Sequence, residues 1–128
     1  MTTKYHIRRV GDITIVDLSG GLSLGEAVAF ALGSGVMLQE LVRELTKQDQ
    51  KKILVNLAEV TYVDSSGIGQ LVGALLTARN QGGDLKLLKP TKQVLDVLKT
   101  TNLTSVFDVQ DDEATVIQSF SKEIAARA

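Results

Sequence analysis

Residues 53–69 read I-L-V-N-L-A-E-V-T-Y-V-D-S-S-G-I-G, and the change of pattern within them predicts an α/β fold. Residues 53–57 form a nearly continuous apolar run, which is typical of a strand covered on both faces. Asp64, Ser65 and Ser66 are all good helix N-cap residues, because each can accept a bond from a free backbone N–H. A helical stripe of apolar residues follows at Ile68, Leu71, Val72, Leu75 and Leu76.

The chain before this stretch predicts a hairpin and a first long helix. Two β-prone runs, residues 5–10 and 13–18, are separated by Gly11-Asp12, which is a strong hairpin signal. Apolar residues then recur at helical spacing at Leu38, Leu41, Val42 and Leu45. Gly33-Ser34-Gly35 interrupts the helical region, so we expect a separate short helical segment at residues 25–35.

The chain after this stretch continues the alternation. Gly82-Gly83 predicts the end of the second helix, since glycine readily adopts the left-handed conformation that closes a helix. Residues 85–88 predict a strand, Pro90 predicts the opening of a third helix, and residues 106–109 predict a short last strand. Acidic residues at 111–113 favour the start of a final helix, because the macrodipole stabilises negative charge there.

The order β-β-α-β-α-β-α-β-α predicts a single α/β domain over residues 1–128, with an N-terminal hairpin followed by alternating strands and helices. We expect a mixed, mainly parallel sheet covered by helices. The chain carries 14 Lys and Arg against 15 Asp and Glu, a net charge of −1, which disfavours binding to nucleic acid or an anionic membrane. Its longest apolar stretch is far shorter than the roughly 18 residues of a membrane span. We therefore expect a cytoplasmic protein.

The available chemistry favours a binding protein over an enzyme. The chain has no cysteine and one histidine, His6, so thiolate chemistry and multi-histidine metal sites are excluded. A G-x-x-x-x-G-K-[ST] phosphate loop does not occur. The acidic cluster at Asp108, Asp111, Asp112 and Glu113 lacks EF-hand spacing and fits a solvated helix start. We expect no catalytic residue, metal ion or cofactor.

The second helix carries the functional signal. One N-cap residue would suffice, yet three small polar residues stand in succession at its start. The helix face opposite the apolar stripe is small, polar and uncharged, at Ser66, Gln70, Gly73, Thr77 and Gln81. Such a face loses little side-chain entropy when another protein covers it. Two interpretations stay open at this point: a capped helix whose small face packs within the fold, or a surface that binds a partner.

The D-S-S-G-I-G sequence at residues 64–69 resembles the STAS domain of bacterial anti-sigma factor antagonists. The resemblance covers nearly the whole chain and includes the Leu18-Ser19-Gly20 turn, the ILVNL strand, Gly82-Gly83 and the apolar helix around residues 95–98. It implies a protein that binds an anti-sigma factor serine kinase when unphosphorylated and is switched off by serine phosphorylation, which regulates transcription indirectly. It also implies a PP2C-type phosphatase that acts on the phosphorylated form.

The resemblance further implies roles for individual residues. Ser65, directly after the aspartate, is the expected phosphorylation site. A phosphate adds about −1.5 to −2 charge, which a helix N-terminus tolerates, so we expect the fold to survive while an interface fitted to a neutral hydroxyl is lost. The expected partner-binding residues are Ser23, Asp64, Ser66, Gly67, Ile68 and Gln70.

Two departures from the family pattern leave alternatives open. Family members often carry acidic residues in the loop after the second strand, where this chain has Gly21 and Ser23. The first helical region is longer than usual by about two turns; residues 25–35 are the added piece, which covers a sheet edge or forms a homodimer contact. One alternative function is a STAS scaffold module in a larger signalling assembly. Another is a small-ligand or nucleotide sensor that holds a phosphate at the helix N-terminus.

Overall fold

The computed structural model describes residues 4–23 and 37–127, with side chains as far as residue 120, and contains a five-stranded sheet. The predicted order of strands and helices is confirmed, whereas the segment expected at residues 25–35 lies outside the described residues. The elements are β1 (Lys4–Val10), β2 (Ile13–Leu22), α1 (Leu38–Lys47), β3 (Lys52–Val63), α2 (Ser65–Asn80), β4 (Asp84–Leu88), α3 (Lys92–Thr100), β5 (Val109–Gln110) and α4 (Glu113–Arg127).

The five strands lie side by side in chain order, β1-β2-β3-β4-β5. β1 runs antiparallel to β2, and their turn is the predicted Gly11-Asp12, in which Gly11 adopts a φ of 61° that glycine tolerates without strain. The pairs β2–β3, β3–β4 and β4–β5 are parallel, so the sheet is mixed and mainly parallel, as predicted. The carboxyl ends of β2 and β3 therefore meet at one edge of the sheet, where α2 begins.

Alternating side chains along the strands form two hydrophobic cores. On one face, residues such as Val16 and Val55 pack in a cluster with α1, α2 and α3. On the other face, Ile15 and Leu54 pack in a cluster with Phe120 of α4. Burial of each such side chain contributes roughly 1.5–3 kcal/mol relative to exposure. Because helices cover both faces, residues 53–57 are apolar almost without interruption.

A buried lysine also holds α4 on the sheet. Lys86 of β4 is only 1% exposed, and its Nζ donates to Asp108 Oδ2 at 2.9 Å and to Ser119 Oγ at 2.7 Å. The same Nζ lies 4.9 Å from the centroid of the Phe120 ring. A lysine this deeply buried is tolerated only where its charge is paired and hydrogen-bonded. Ser119 and Phe120 thus tie α4 to the strand beneath it.

Acid is expected to destabilise the fold through two carboxylates. Hydrogen bonding from Arg8, assisted by Asn56, lowers the pKa of Asp17 against the opposing effect of burial. Burial raises the pKa of Asp108, but hydrogen bonds from Lys86 and Gln110 outweigh it and leave that pKa below its ordinary value. A carboxylate with a lowered folded-state pKa stabilises the protein above its unfolded pKa, and this stability disappears as the pH falls through the folded pKa.

The thermal midpoint should therefore fall as the pH decreases below about 4, the ordinary range of aspartate. Asp17→Asn removes one of the carboxylates whose pKa is lowered in the folded state, so its midpoint should fall less steeply with acid than that of the wild type. Differential scanning calorimetry between pH 7 and pH 3 measures both slopes. Equal slopes for the two proteins would contradict the role given to Asp17.

Three boundaries differ from the predictions near the candidate site. β2 continues to Leu22 rather than ending at Leu18, so the expected Leu18-Ser19-Gly20 turn is part of this strand. β3 continues to Val63 rather than ending at Leu57. The sequence did not predict this extension, because two register shifts in the pairing of β3 with β2 interrupt the regular alternation expected of a strand. α3 begins at Lys92 and not at Pro90. The hydroxyl of Thr91 caps it by accepting a backbone N–H of the first turn at 3.4 Å.

The last strand is also displaced: it comprises Val109–Gln110 rather than residues 106–109. Val106 lies in the turn after α3, where its backbone N donates to Leu103 O at 3.0 Å. Phe107 is buried in the core beside α3. Of the apolar residues that predicted a strand here, Phe107 therefore packs in the core, whereas Val106 stays exposed.

Candidate functional site at the start of α2

Asp64 caps α2 at the carboxyl edge of the sheet. Its backbone is extended, with φ −112° and ψ −173°, and its Oδ1 accepts the N–H of Gly67 at 2.9 Å. The Asp64 carbonyl accepts the N–H of Ile68 at 2.9 Å. These are the two bonds that an N-cap residue supplies, so Asp64 is the N-cap of this helix.

Ser65 is the first residue of α2, and it is exposed. Because Asp64 supplies the cap, the fold does not need the Ser65 hydroxyl for that purpose. Within the described part of the chain, no hydrogen bond is found to the Oγ of Ser65 or of the half-buried Ser66. The structure therefore presents the Ser65 hydroxyl to solvent at a helix N-terminus, where the macrodipole favours added negative charge.

The start of α2 is fixed against the end of β2. Asp64 N donates to Leu22 O at 3.2 Å, and Leu22 pairs with Val63 in the sheet. A Cβ added to Gly67 would lie 2.1 Å from Leu22 O, so only glycine permits this approach. Ser23 follows Leu22 directly and is half-buried. The tertiary structure therefore brings Ser23 to the same edge of the sheet as Asp64 and Ser65, although Ser23 and Asp64 are 41 positions apart in the chain.

Three of the residues expected to contact a partner are instead part of the interior. Gly67 is buried against Leu22, and Ile68 is 7% exposed within the main core. Gln70 is 4% exposed, and its Oε1 accepts the backbone N–H of Leu38 at the start of α1. These three residues position α2, and their contact with a partner stays a prediction. Ser23, Asp64, Ser65 and Ser66 remain accessible at this edge.

The middle of the small neutral face of α2 packs within the fold, whereas Ser66 at one end is half-buried and Gln81 at the other end is exposed. Gln70 and Thr77 are buried, and a Cβ added to Gly73 would lie 2.8 Å from Oε1 of Gln39 in α1. The face that α2 presents to solvent is a different one. Leu76, predicted to belong to the buried stripe, is 54% exposed.

His6 and a cavity lined by loop and strand-end residues belong to parts of the fold other than the start of α2. Ser65 is an accessible nucleophile, but His6 lies on β1 opposite Asp17, and no cluster of metal-ligating side chains occurs within residues 4–23 and 37–127. A cavity of about 350 Å³ opens at the opposite, amino edge of the sheet. It is lined by Asp12, Asp49, Lys51, Lys52, Gly82, Gly83 and Asp84, none of which belongs to the α2 start. Among the described helices, none is long and apolar enough to cross a bilayer.

Comparison with known proteins relates this chain to bacterial regulators. The anti-sigma-B factor antagonist of Bacillus subtilis is 30% identical over 76 residues, which are 59% of this chain and 69% of that protein. The curated relatives reported for Thermotoga and Staphylococcus aureus are matched over 60–68% of their own length. An anti-sigma factor antagonist from Mycobacterium paratuberculosis has a similar structure, with a TM-score of 0.74 at 12% identity over 94% of this chain and 95% of that one.

The Bacillus protein SpoIIAA has the same fold in two states. Its unphosphorylated form has a TM-score of 0.69 at 19% identity, covering 91% of this chain and 95% of that one. Its phosphorylated form has a TM-score of 0.64 at the same identity, covering 91% and 98%. The STAS domain family model matches residues 4–116, which include the hairpin, the sheet and the D-S-S-G helix start. The chain therefore belongs to the STAS domain family.

Proposed function

We propose that this protein is an anti-sigma factor antagonist in which Ser65 is the phosphorylation switch. The observation that carries the proposal is the division of roles at the start of α2: Asp64 caps the helix, and Ser65 is left exposed. A serine that the fold does not need can be modified without loss of the fold. The relatives named as anti-sigma factor antagonists support the regulatory class.

The electrostatics of the site fit a switch that acts at its surface. A phosphate on Ser65 stands beside Asp64, and the first basic residue of α2 is Arg79, almost four turns further on. The phosphate is therefore not neutralised from within its own helix start. Like charge and three additional oxygens disrupt a partner surface that fits the neutral hydroxyl, while the helix dipole tolerates the charge. The switch then needs no refolding.

The proposed partner is an anti-sigma factor with serine kinase activity. In the modification step, Ser65 Oγ attacks the terminal phosphorus of a nucleoside triphosphate; the hydroxyl proton passes to a base of the kinase, and the nucleoside diphosphate leaves with the electrons of the broken phosphorus–oxygen bond. A PP2C-type phosphatase would reverse the modification by hydrolysis of the phosphate ester. We propose that this cycle of phosphorylation and dephosphorylation takes place in the cytoplasm, together with the anti-sigma factor. Ser23, Asp64, Ser65 and Ser66 form its contact edge.

This chain has Gly21 and Ser23 where family members often carry acidic residues, and this difference affects which anti-sigma factor can bind. Ser23 lies beside the helix start, so this position is within reach of any protein that covers Ser65. A neutral residue here removes one possible ion pair with the partner. We expect the cognate anti-sigma factor to present a neutral or acidic group at that point.

Site-resolved mass spectrometry tests the proposal. The full chain is incubated with ATP and, one at a time, with each purified anti-sigma factor encoded in its source genome. We expect one added phosphate, localised to Ser65, with one of these proteins. Phosphate on Ser66 alone would preserve the mechanism but correct the residue. No incorporation with any of them, together with no binding, would refute the proposal and favour the scaffold function.

A further inference from the structure

A second surface feature runs along α2 away from the switch. Ser65, Gly69, Val72 and Leu76 recur at i, i+4, i+7 and i+11, which places them on one side of the helix. Ser65, Gly69 and Leu76 are exposed and Val72 is half-buried; we call these four residues the outer stripe. At 54%, Leu76 has the highest exposed fraction among the large apolar side chains reported as exposed. The stripe is distinct from the neutral face that packs on α1.

The outer stripe is neutral, whereas the other two helices that pack in the same core cluster carry charged residues on their accessible sides. No charged residue occurs in α2 from Ser65 to Ala78. On α1, the accessible residues Glu40, Arg43, Glu44 and Lys47 form ion pairs with one another. On α3, the exposed residues include Lys92, Asp96 and Lys99. A neutral stripe that ends in an exposed leucine is unusual for the solvent face of a helix, which normally carries charged and polar residues.

We infer that the outer stripe extends the anti-sigma factor binding surface from Ser65 to Leu76, with Leu76 as an apolar anchor. The inference rests on the function proposed above. Continuity supports it, because the stripe begins at the switch residue itself. A rise of 1.5 Å per residue places Leu76 about 16 Å along the helix from Ser65. At this distance Leu76 lies outside the immediate electric field of a phosphate on Ser65. Leu76 contributes to the affinity for the anti-sigma factor, and phosphorylation of Ser65 reduces that affinity.

The size of the stripe favours extension of an interface over self-association. A strip about 16 Å long and about 10 Å wide covers roughly 160 Å². A stable interface buries about 800 Å² on each partner. The stripe alone is therefore too small to hold a second copy of this chain. Joined to the edge formed by Ser23, Asp64 and Ser66, it becomes part of a larger continuous surface.

Charge insertion at Leu76 tests the inference. Leu76→Lys keeps an exposed, helix-favouring residue, so the fold should be unaffected. We expect its Kd for the anti-sigma factor that binds the wild type to rise at least about tenfold, which is the cost of losing one apolar anchor. Phosphorylation of Leu76→Lys by that kinase should show a raised KM and an unchanged kcat, because the acceptor hydroxyl is not altered.

Val106→Lys controls for the fold and for the added charge, and Gly69→Arg is a second test of the stripe. Val106→Lys makes the same type of change at a residue that is 41% exposed in the turn before β5, and it should bind like the wild type. Gly69→Arg adds a side chain where a Cβ meets no atom within 4 Å, so it should fold yet block the stripe. Isothermal titration calorimetry gives each Kd.

The possible outcomes separate the inference from the proposed function. If Leu76→Lys and Gly69→Arg bind the anti-sigma factor with wild-type affinity, the outer stripe is not part of the binding surface and the inference is refuted. The proposed Ser65 switch is unaffected by that result. A dimer that Leu76→Lys dissociates, with unchanged affinity for the anti-sigma factor, assigns the stripe to a second copy and also overturns the inference. Binding of the wild type to none of the anti-sigma factors overturns both proposals.

Discussion

Ser65→Ala is expected to abolish phosphate incorporation while binding to the anti-sigma factor is retained. The cap of α2 is supplied by Asp64, so loss of the Ser65 hydroxyl should change the free energy of unfolding by less than about 0.5 kcal/mol. Alanine leaves the site neutral, as it is in unmodified serine. Intact-mass measurement after incubation with kinase and ATP, together with a Kd by calorimetry, checks both parts of this result.

Ser65→Glu should give the opposite binding result. A carboxylate at the first position of α2 adds negative charge beside Asp64, and we expect the Kd to rise about a hundredfold, which corresponds to about 2.7 kcal/mol. Ser66→Ala is the matched control, because it removes the neighbouring hydroxyl and leaves Ser65 in place. If Ser65→Ala still accepts a full phosphate and Ser66→Ala accepts none, Ser66 is the site. Unchanged affinity in Ser65→Glu would contradict a charge-based switch.

Gly67→Ala is expected to be the most destabilising small substitution in α2. The added Cβ would stand 2.1 Å from Leu22 O and 2.8 Å from Leu22 Cβ, so the helix start or the end of β2 must move. Overpacking of this kind costs roughly 3 kcal/mol, which corresponds to a decrease of about 10 °C in the thermal midpoint. Denaturant unfolding and calorimetry measure the loss.

Gly69→Ala provides a control two residues away on the same helix. A Cβ at Gly69 meets no atom within 4 Å, and alanine has the higher helix propensity, so this variant should be more stable by up to about 1 kcal/mol. Opposite signs for the two variants would show that contact with Leu22, and not helix propensity, decides the Gly67 result. Equal effects in Gly67→Ala and Gly69→Ala would refute that contact.

The Gly67 contact also bears on function. The approach of α2 to Leu22 sets where Ser23 stands relative to Asp64 and Ser65. A displaced helix start would move the hydroxyl away from that edge while the sheet remains paired. Gly67 thus links the stability of the fold to the geometry of the switch, although its own backbone is buried and offers a partner no side chain.

Local patterns predicted the elements well where neighbours in the chain supply the interactions. The Gly11-Asp12 turn joins the paired residues Val10 and Ile13. The turn that ends α2 contains Gly82, whose φ is 81° and whose backbone N–H donates to Arg79 O. Both turns are therefore made by residues close together in the chain. The extension of β3 to Val63 was missed because it depends on pairing with β2, whose two register shifts leave no regular alternation. Burial of Gln70 was missed for the same reason, since its partner is the start of α1.

The sequence by itself determined the order of strands and helices, the family and the position of the serine after the aspartate at a helix start. The order of elements depends on periodicity, turn chemistry and capping between residues close together in the chain, and the family follows from the resemblance carried by D-S-S-G-I-G. Only the tertiary structure decided which side of α2 is open. The middle of the small neutral face, which the sequence suggested as a partner surface, is buried where α2 packs on α1. The outer stripe that ends at Leu76 remains exposed. A helical repeat shows that faces differ, but the neighbouring helix and sheet determine which of them meets solvent.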